Sequence, residues 1–408
     1  MAHFDPEKAL VDIRREFGEH GGVTPSVERS STFTVMESGT MPDIFAGLRG
    51  PDDGHGCYLY SRHFNPTVDV LARSLAAMEG TGWAIGTASG IAAIACSLLQ
   101  ICHQGSHIVA SRTVYGGTHA LLETTLPQMG VETTFVDITD LDAVKAAMRP
   151  DTRVVYTEVV GNPTLNVADI PALAGIAHGA DAKLVVDNTF TPLVVSPAQL
   201  GADVVVHSMT KFINGASDCI AGAVCASHDF VYELMDLHSG RIMLLGPTMD
   251  ARTAFDIYQR LPHLPLRMRE HGRRAQAMAE RLQAIGAPVG YPGLPDHPGH
   301  ATMRGMMNEG FGFGGLLTLD AGTREQADRL MNLLQNDERF GLIAVSLGYF
   351  DTLMSCSGSS TSSEIAPEEQ EVMGLSPGLL RISMGLTGRL EDRLDQMERA
   401  VRKVGLVR

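Results

Sequence analysis

Between residues 68 and about 210 the chain alternates helical spacing with short apolar runs, and this alternation restricts the fold more than any other feature of the sequence. Val68, Leu71, Leu75 and Met78 recur at the spacing of one helix face. Helix-like segments follow at 90–102, 118–129, 141–148 and 170–178. Strand-like runs lie between them at 107–110, 133–136, 153–156, 184–186 and 204–206. These runs are too short and too uniformly apolar to face water on one side. They suit strands buried on both faces, so the pattern predicts an α/β fold with a largely parallel sheet covered by helices. Ligands on such sheets bind beyond the carboxyl ends of the strands.

Two of the predicted strands end on chemically useful groups. The run 182–187 ends on Asp187, and the run 202–206 leads into Ser208, Thr210 and Lys211. Taken singly, Asp187 reads as a helix cap or turn acid and Lys211 as a surface lysine. Their spacing sets both at one crevice. An acid, a pair of hydroxyls and a lysine at successive strand ends are what pyridoxal phosphate requires. The amine forms a Schiff base with its aldehyde, the carboxylate keeps its ring nitrogen protonated, and the hydroxyls hold its phosphate. Ser89-Gly90-Ile91 opens an apolar helical run and is either an ordinary serine cap or a phosphate site made of free amides. Tyr115, ahead of Gly116 and Gly117, is either a packed tyrosine or a ring that stacks on a flat cofactor. Arg381 sits inside the apolar run 379–383 and needs a partner, either a structural carboxylate or a substrate α-carboxylate.

The rest of the 408 residues frames this centre. Residues 1 to about 60 are rich in Gly, Pro, Asp and Ser, with a loop-like stretch through 56. Such an arm is too polar for a core of its own, so it is either disordered or packed on another subunit. Long helical sequence occupies 250–285, and a smaller α+β unit follows, with a strand expected at 314–319. The expected division is 1–63 for the arm, 64–262 for the large domain and 263–408 for the C-terminal α+β domain. A net charge of −15 disfavours nucleic acid and anionic membranes as partners. No apolar run reaches membrane-spanning length, and the first residues lack the layout of a signal peptide. Cys57, Cys96, Cys102, Cys219, Cys225 and Cys356 are scattered without metal-ligand spacing and read as thiols in a reducing cytoplasm, with no metal site.

In combination, several motifs resemble the Cys/Met-metabolism family of pyridoxal-phosphate enzymes over nearly the whole chain. They are Tyr60-Ser-Arg62-His-Phe-Asn-Pro-Thr67, Ala88-Ser-Gly-Ile91, Val114-Tyr-Gly-Gly-Thr118, Gly161-Asn-Pro-Thr164, Val186-Asp-Asn-Thr-Phe190, His207-Ser-Met-Thr-Lys-Phe-Ile-Asn-Gly215 and Val345-Ser-Leu-Gly348. The resemblance implies the type I pyridoxal-phosphate-dependent transferase fold, with a seven-stranded-type sheet, usually in a homotetramer built from catalytic dimers. It casts Lys211 as the Schiff-base lysine, Asp187 as the partner of the ring nitrogen and Tyr115 as the stacking tyrosine. Gly90, Ile91, Ser208 and Thr210 would hold the phosphate, joined by Tyr60 and Arg62 from a neighbouring subunit. Asn162, Ser346 and Arg381 would surround the cofactor hydroxyl and the substrate carboxylate.

Departures from the family pattern bear on the substrate. Methionine-specialised relatives typically carry cysteine where this chain has Gly117. Cystathionine γ-lyases typically place Asn-Arg where it has His119-Ala120, and that arginine suits a distal carboxylate. Asp351 keeps an acid near the expected distal end of the substrate. The segment 355–364 is rich in hydroxyls, and Thr387 stands where glutamate is common. The expectation is a γ-lyase for an amino acid with a polar, even cationic, γ substituent. Candidates are canavanine, cystathionine, methionine and homocysteine. A γ-replacement enzyme (cystathionine γ-synthase or O-acylhomoserine sulfhydrylase) is the alternative. A non-catalytic pyridoxal-phosphate-binding regulator is disfavoured, because every chemical position is filled.

Overall fold

The computed structural model describes residues 4–14, 17–18, 20–46, 48–50, 58–356 and 375–407. The larger sheet contains β1 (Trp83–Thr87), β2 (His107–Ser111), β3 (Glu132–Val136), β4 (Thr152–Glu158), β5 (Lys183–Asp187), β6 (Val204–Ser208) and β7 (Gly222–Ala226). Their spatial order is β1-β7-β6-β5-β4-β2-β3. The five strands from β6 to β3 are parallel, whereas β7 runs antiparallel to both β6 and β1. The sheet is therefore mostly parallel, as expected, with two strands that the apolar-run pattern missed.

Successive residues of the central strands face opposite sides, and both sides are dry. Val155, Leu184, Val186 and Val205 pack into one cluster with Leu71, Leu75 and Met78. Val154, Tyr156, Val185, Val204 and Val206 pack into the other with Ile94 and Leu98. This two-sided burial is why the strands read as unbroken apolar runs. The helix Pro66–Glu79 starts where Asn65 accepts hydrogen bonds from the Thr67 and Val68 amides. It stops at Gly80, whose φ of +69° an L side chain rarely adopts. Its buried face carries Leu71 and Leu75, both at 0 % exposure. Truncating either to alanine removes about 2–5 kcal/mol.

A second sheet, ordered β10-β11-β12-β9-β8, forms from β8 (Val289–Gly290), β9 (Leu316–Asp320), β10 (Leu342–Ile343), β11 (Leu353–Cys356) and β12 (Leu379–Ser383). Apart from the parallel β10–β11 pair it is antiparallel. The long helix Leu264–Ala284 and the helix Leu390–Lys403 pack with it around Met278, Leu282, Leu317 and Met397. No helix among the described residues is long and apolar enough to cross a membrane. Cys96, Cys102, Cys225 and Cys356 are buried and Cys219 is half-buried. Cys57, residues 51–56 of the predicted loop and 357–364 of the hydroxyl-rich segment lie outside the described residues.

The N-terminal stretch departs from the expectation of an arm without a core. The helix Pro6–Asp12 buries Leu10 in the same cluster as Leu71 and Leu75. Glu7 pairs with Arg269, and the Arg14 guanidinium lies 4.9 Å over the Tyr258 ring. One apolar side chain and two polar anchors dock this helix on its own chain, which composition alone does not reveal.

Candidate active site

Three adjacent parallel strands end together on polar residues: β4 on Glu158, β5 on Asp187 and β6 on Ser208. Glu158 and Asp187 are direct register partners. Beyond these ends lies a cavity of about 290 Å³, lined among others by Gly90, Ile91, Tyr115, Asp187, Ser208, Thr210 and Lys211. Seven residues singled out in the sequence thus meet in one place, at the sheet edge where such folds bind ligands.

One end of the cavity is backbone. Ser89 caps the helix Gly90–Ile101, its hydroxyl accepting from the Ala92 amide at 3.2 Å. The helix start packs so closely on β6 that a Cβ at Gly90 would sit 2.6 Å from Ser208 Cβ and 2.8 Å from its Cα. Only glycine permits that approach. The first-turn amides and the helix dipole there favour an anion. Ser208 and Thr210 line the cavity as well, and Thr210 Oγ1 also accepts from the Ala221 amide at 3.0 Å.

At the other end Asp187 is buried, with 8 % exposure. Its Oδ1 accepts from the Thr189 amide at 2.9 Å. Burial raises its carboxyl above the usual range, opposed by the bonds to Thr189 and by His207. A buried acid with so little compensation suits a cationic ring nitrogen. Lys211 donates to Ser346 Oγ at 3.1 Å. Burial, and then the nearby Arg381 charge, lower its amine to about 8. The Tyr115 ring lies over Gly117, where an added Cβ would come within 2.6 Å of the ring. The ring is 46 % exposed and lines the cavity.

Ser346, Asn162 and Arg381 join the cavity through hydrogen bonds. Arg381, at 3 % exposure, donates to Asn162 Oδ1 at 2.9 Å and to the Ser346 carbonyl at 3.3 Å. Burial lowers its guanidinium to about 10, with Glu158 opposing the shift. The ordinary reading of Arg381 was a structural salt bridge. It donates instead to an amide oxygen, a carbonyl and, at 3.5 Å, the Ser355 hydroxyl.

Three predicted residues fall elsewhere. Tyr60 and Arg62 are exposed and do not line the cavity; Arg62 donates to the Met243 carbonyl at 2.9 Å and lies 5.4 Å over the Tyr60 ring. Asp351 is not among the cavity-lining residues. Its Oδ1 accepts from the Thr387 hydroxyl at 2.5 Å and lies 3.7 Å from Arg393. Asp351 thus already has Thr387 and Arg393 as neighbours, which a distal cation of the substrate would have to share. Two contributors were missed. Thr189 accepts the Ser208 amide at 2.7 Å, and Glu158 lines the cavity beside Asp187. The rule that singles out Asp187, an acid closing an apolar strand, also finds Glu158.

A close-packed helix N-terminus, flanking hydroxyls, a buried acid and a buried amine of lowered basicity fit pyridoxal phosphate, and the architecture is that of the type I pyridoxal-phosphate enzymes. A chain from Campylobacter jejuni that carries N'-pyridoxyl-lysine-5'-monophosphate superposes with a TM-score of 0.89 at 25 % identity, covering 98 % of this chain and 100 % of that one. The chain belongs to the Cys/Met metabolism PLP-dependent enzymes, whose family model matches residues 8–402. It is 56 % identical over 398 residues to the methionine gamma-lyase of Arabidopsis thaliana, covering 97 % of this chain and 90 % of that protein. It is 33 % identical to the O-succinylhomoserine sulfhydrylase of Pseudomonas aeruginosa, covering 94 % of this chain and 91 % of that protein.

Proposed function

We propose that this protein is a pyridoxal-phosphate-dependent γ-lyase. Its substrate would be an amino acid whose γ substituent, joined through sulfur or oxygen, carries no carboxylate. The observation that carries the substrate class is the cavity wall. Ile91, Ile94, Val160, Phe190, Ile220 and Leu347 supply its apolar part, and among the described residues that line it Lys211 is the only cation. A distal carboxylate, as in cystathionine, finds no anchor in that set. The S-methyl group of methionine, or the smaller thiol of homocysteine, fits the apolar wall. A guanidinooxy group, as in canavanine, is the second reading, favoured by the acid Glu158 on the same wall.

When bound, pyridoxal phosphate supplies an electron sink that acidifies the substrate's Cα and Cβ protons. The chain's own groups do the rest. Gly90, Ile91, Ser208 and Thr210 hold the phosphate, and Asp187 holds the ring-nitrogen proton. Arg381, steadied by Asn162 and the Ser346 carbonyl, takes the substrate carboxylate as a bidentate partner. The Lys211 amine, of lowered basicity, would be basic enough to take the Cα proton and weak enough to return it. The Tyr115 phenol protonates the departing γ group. Tyr60 and Arg62, exposed on the surface, complete a neighbouring subunit's phosphate site within a homotetramer. Buried thiols agree with a cytoplasmic setting.

The test measures keto acid and ammonia from methionine, homocysteine, canavanine, cystathionine and O-acetyl- and O-succinylhomoserine, each with and without added thiol. For canavanine, homoserine is assayed as well. Turnover without thiol, fastest on a substrate lacking a distal carboxylate, is the expected outcome. Turnover only with thiol would assign γ-replacement instead. A clear preference for cystathionine would refute the argument from the cavity wall.

A further inference from the structure

Glu158 is an acid at the site to which the steps derived above assign no role. It closes β4, is 6 % exposed and lines the cavity. Its two carboxylate oxygens serve two different segments. Oε1 accepts from the Tyr115 amide at 2.7 Å, and Oε2 accepts from the Asn162 amide at 3.1 Å. Tyr115 lies 43 residues upstream, at the start of the helix Gly116–Ala120, which has no side-chain cap of its own. Asn162 in turn accepts from Arg381. One carboxylate thus links the segment carrying the stacking ring to the segment that steadies the guanidinium.

A spacer of similar shape would not do this. Both oxygens face N–H donors, and the nitrogen of a glutamine has no lone pair to offer. The acid is also placed at a cost. Burial, and then the Asp187 charge in register beside it, push its carboxyl well above the usual range, while the two amides and Arg381 pull the other way.

We propose that Glu158 is a positioning residue that sets the gap between the Tyr115 ring and Asn162, and through them the seating of the cofactor ring and of Arg381. The proposal rests on the cavity being the pyridoxal-phosphate site. Glu158→Gln leaves one amide facing an NH₂ group, so its segment moves away.

The test uses purified holoenzyme and Glu158→Gln, with pyridoxal phosphate as the probe. The variant is expected to retain pyridoxal phosphate about tenfold less tightly. The visible circular dichroism of the bound cofactor should change, and KM should rise more than kcat falls. A merely structural role would lower thermal stability and leave the circular dichroism per bound cofactor unchanged. Retention and circular dichroism equal to wild type would overturn the proposal. A second measurement needs no variant. In wild-type holoenzyme the Tyr115 and Asn162 amides should exchange hydrogen at least about tenfold more slowly than unbonded loop amides, and exchange at the loop rate would equally overturn it. If wild type itself took up no pyridoxal phosphate, the reading of the cavity would fail, and amide exchange in the apoprotein would still test the link.

Discussion

The lowered basicity of Lys211 gives the sharpest test of the site before any substrate is added. An exposed lysine holds its proton to about 10.5, whereas burial and Arg381 bring this amine to about 8. At pH 7.5 roughly a quarter of Lys211 is then neutral, against about one in a thousand for an exposed lysine. Only the neutral amine attacks an aldehyde, so the apoprotein should capture pyridoxal phosphate covalently about two-hundredfold faster than the amine fraction of a free lysine allows. The assay is stopped-flow absorbance of apoprotein mixed with pyridoxal phosphate from pH 6.5 to 10.5. Each rate is divided by that of N-acetyl-lysine methylamide at the same pH, which removes the cofactor's own titration. The normalised advantage should be large below pH 8 and shrink as pH rises towards 10.5. A constant ratio across the range would mean that Lys211 titrates like a surface lysine, and the argument from burial would be wrong. The same shift has a stability consequence. Between about 8 and 10.5 the unfolded chain still binds this proton and the folded chain does not, so this group makes the apo fold more stable as pH rises through that window.

Other outcomes follow from the packing. Gly90→Ala places a methyl group against the Ser208 backbone, so the helix start must retreat and cofactor retention after dialysis should fall about tenfold or more; retention equal to wild type would show that the cradle yields. Asp351→Asn should leave the ranking of substrates unchanged and shift stability by less than about 1 kcal/mol, because its ion pair is partly exposed; a changed ranking would return Asp351 to the substrate site. Glu79→Ala strips the buried His207 ring of its 2.7 Å partner and Asn188 of an acceptor. Leaving these buried donors without an acceptor should cost about 1–3 kcal/mol in a denaturant titration, and no measurable loss would refute the reading that Glu79 holds them.

The sequence made the central strands legible because β4, β5 and β6 are apolar on both faces, and it made the lysine end legible because spacing alone joins Asp187 to Lys211. The outer strands were not. In β1 and β7 the small residues Ala84, Gly86, Gly222 and Ala223 dilute the apolar run, and their pairing joins segments far apart in the chain. The role of Asp351 was not legible from its position along the chain. Its use depends on which way one side chain turns, and Thr387 and Arg393, both more than thirty residues away, decide that. Glu158 is legible as an acid closing an apolar strand, but its partners are main-chain amides, so what it holds leaves no mark on residue identity.

The shared ending of β4, β5 and β6 has a consequence for how the protein acquires activity. A strand slipped by one residue turns every one of its side chains to the opposite face. Asp187 would then point into the packed valines and Val186 into the cavity. Errors at this edge therefore come in whole steps, and a misregistered molecule should be inert rather than weakened. Refolded samples should divide into fully competent and dead fractions, countable by stoichiometric cofactor titration, with the same turnover per titrated site in every preparation.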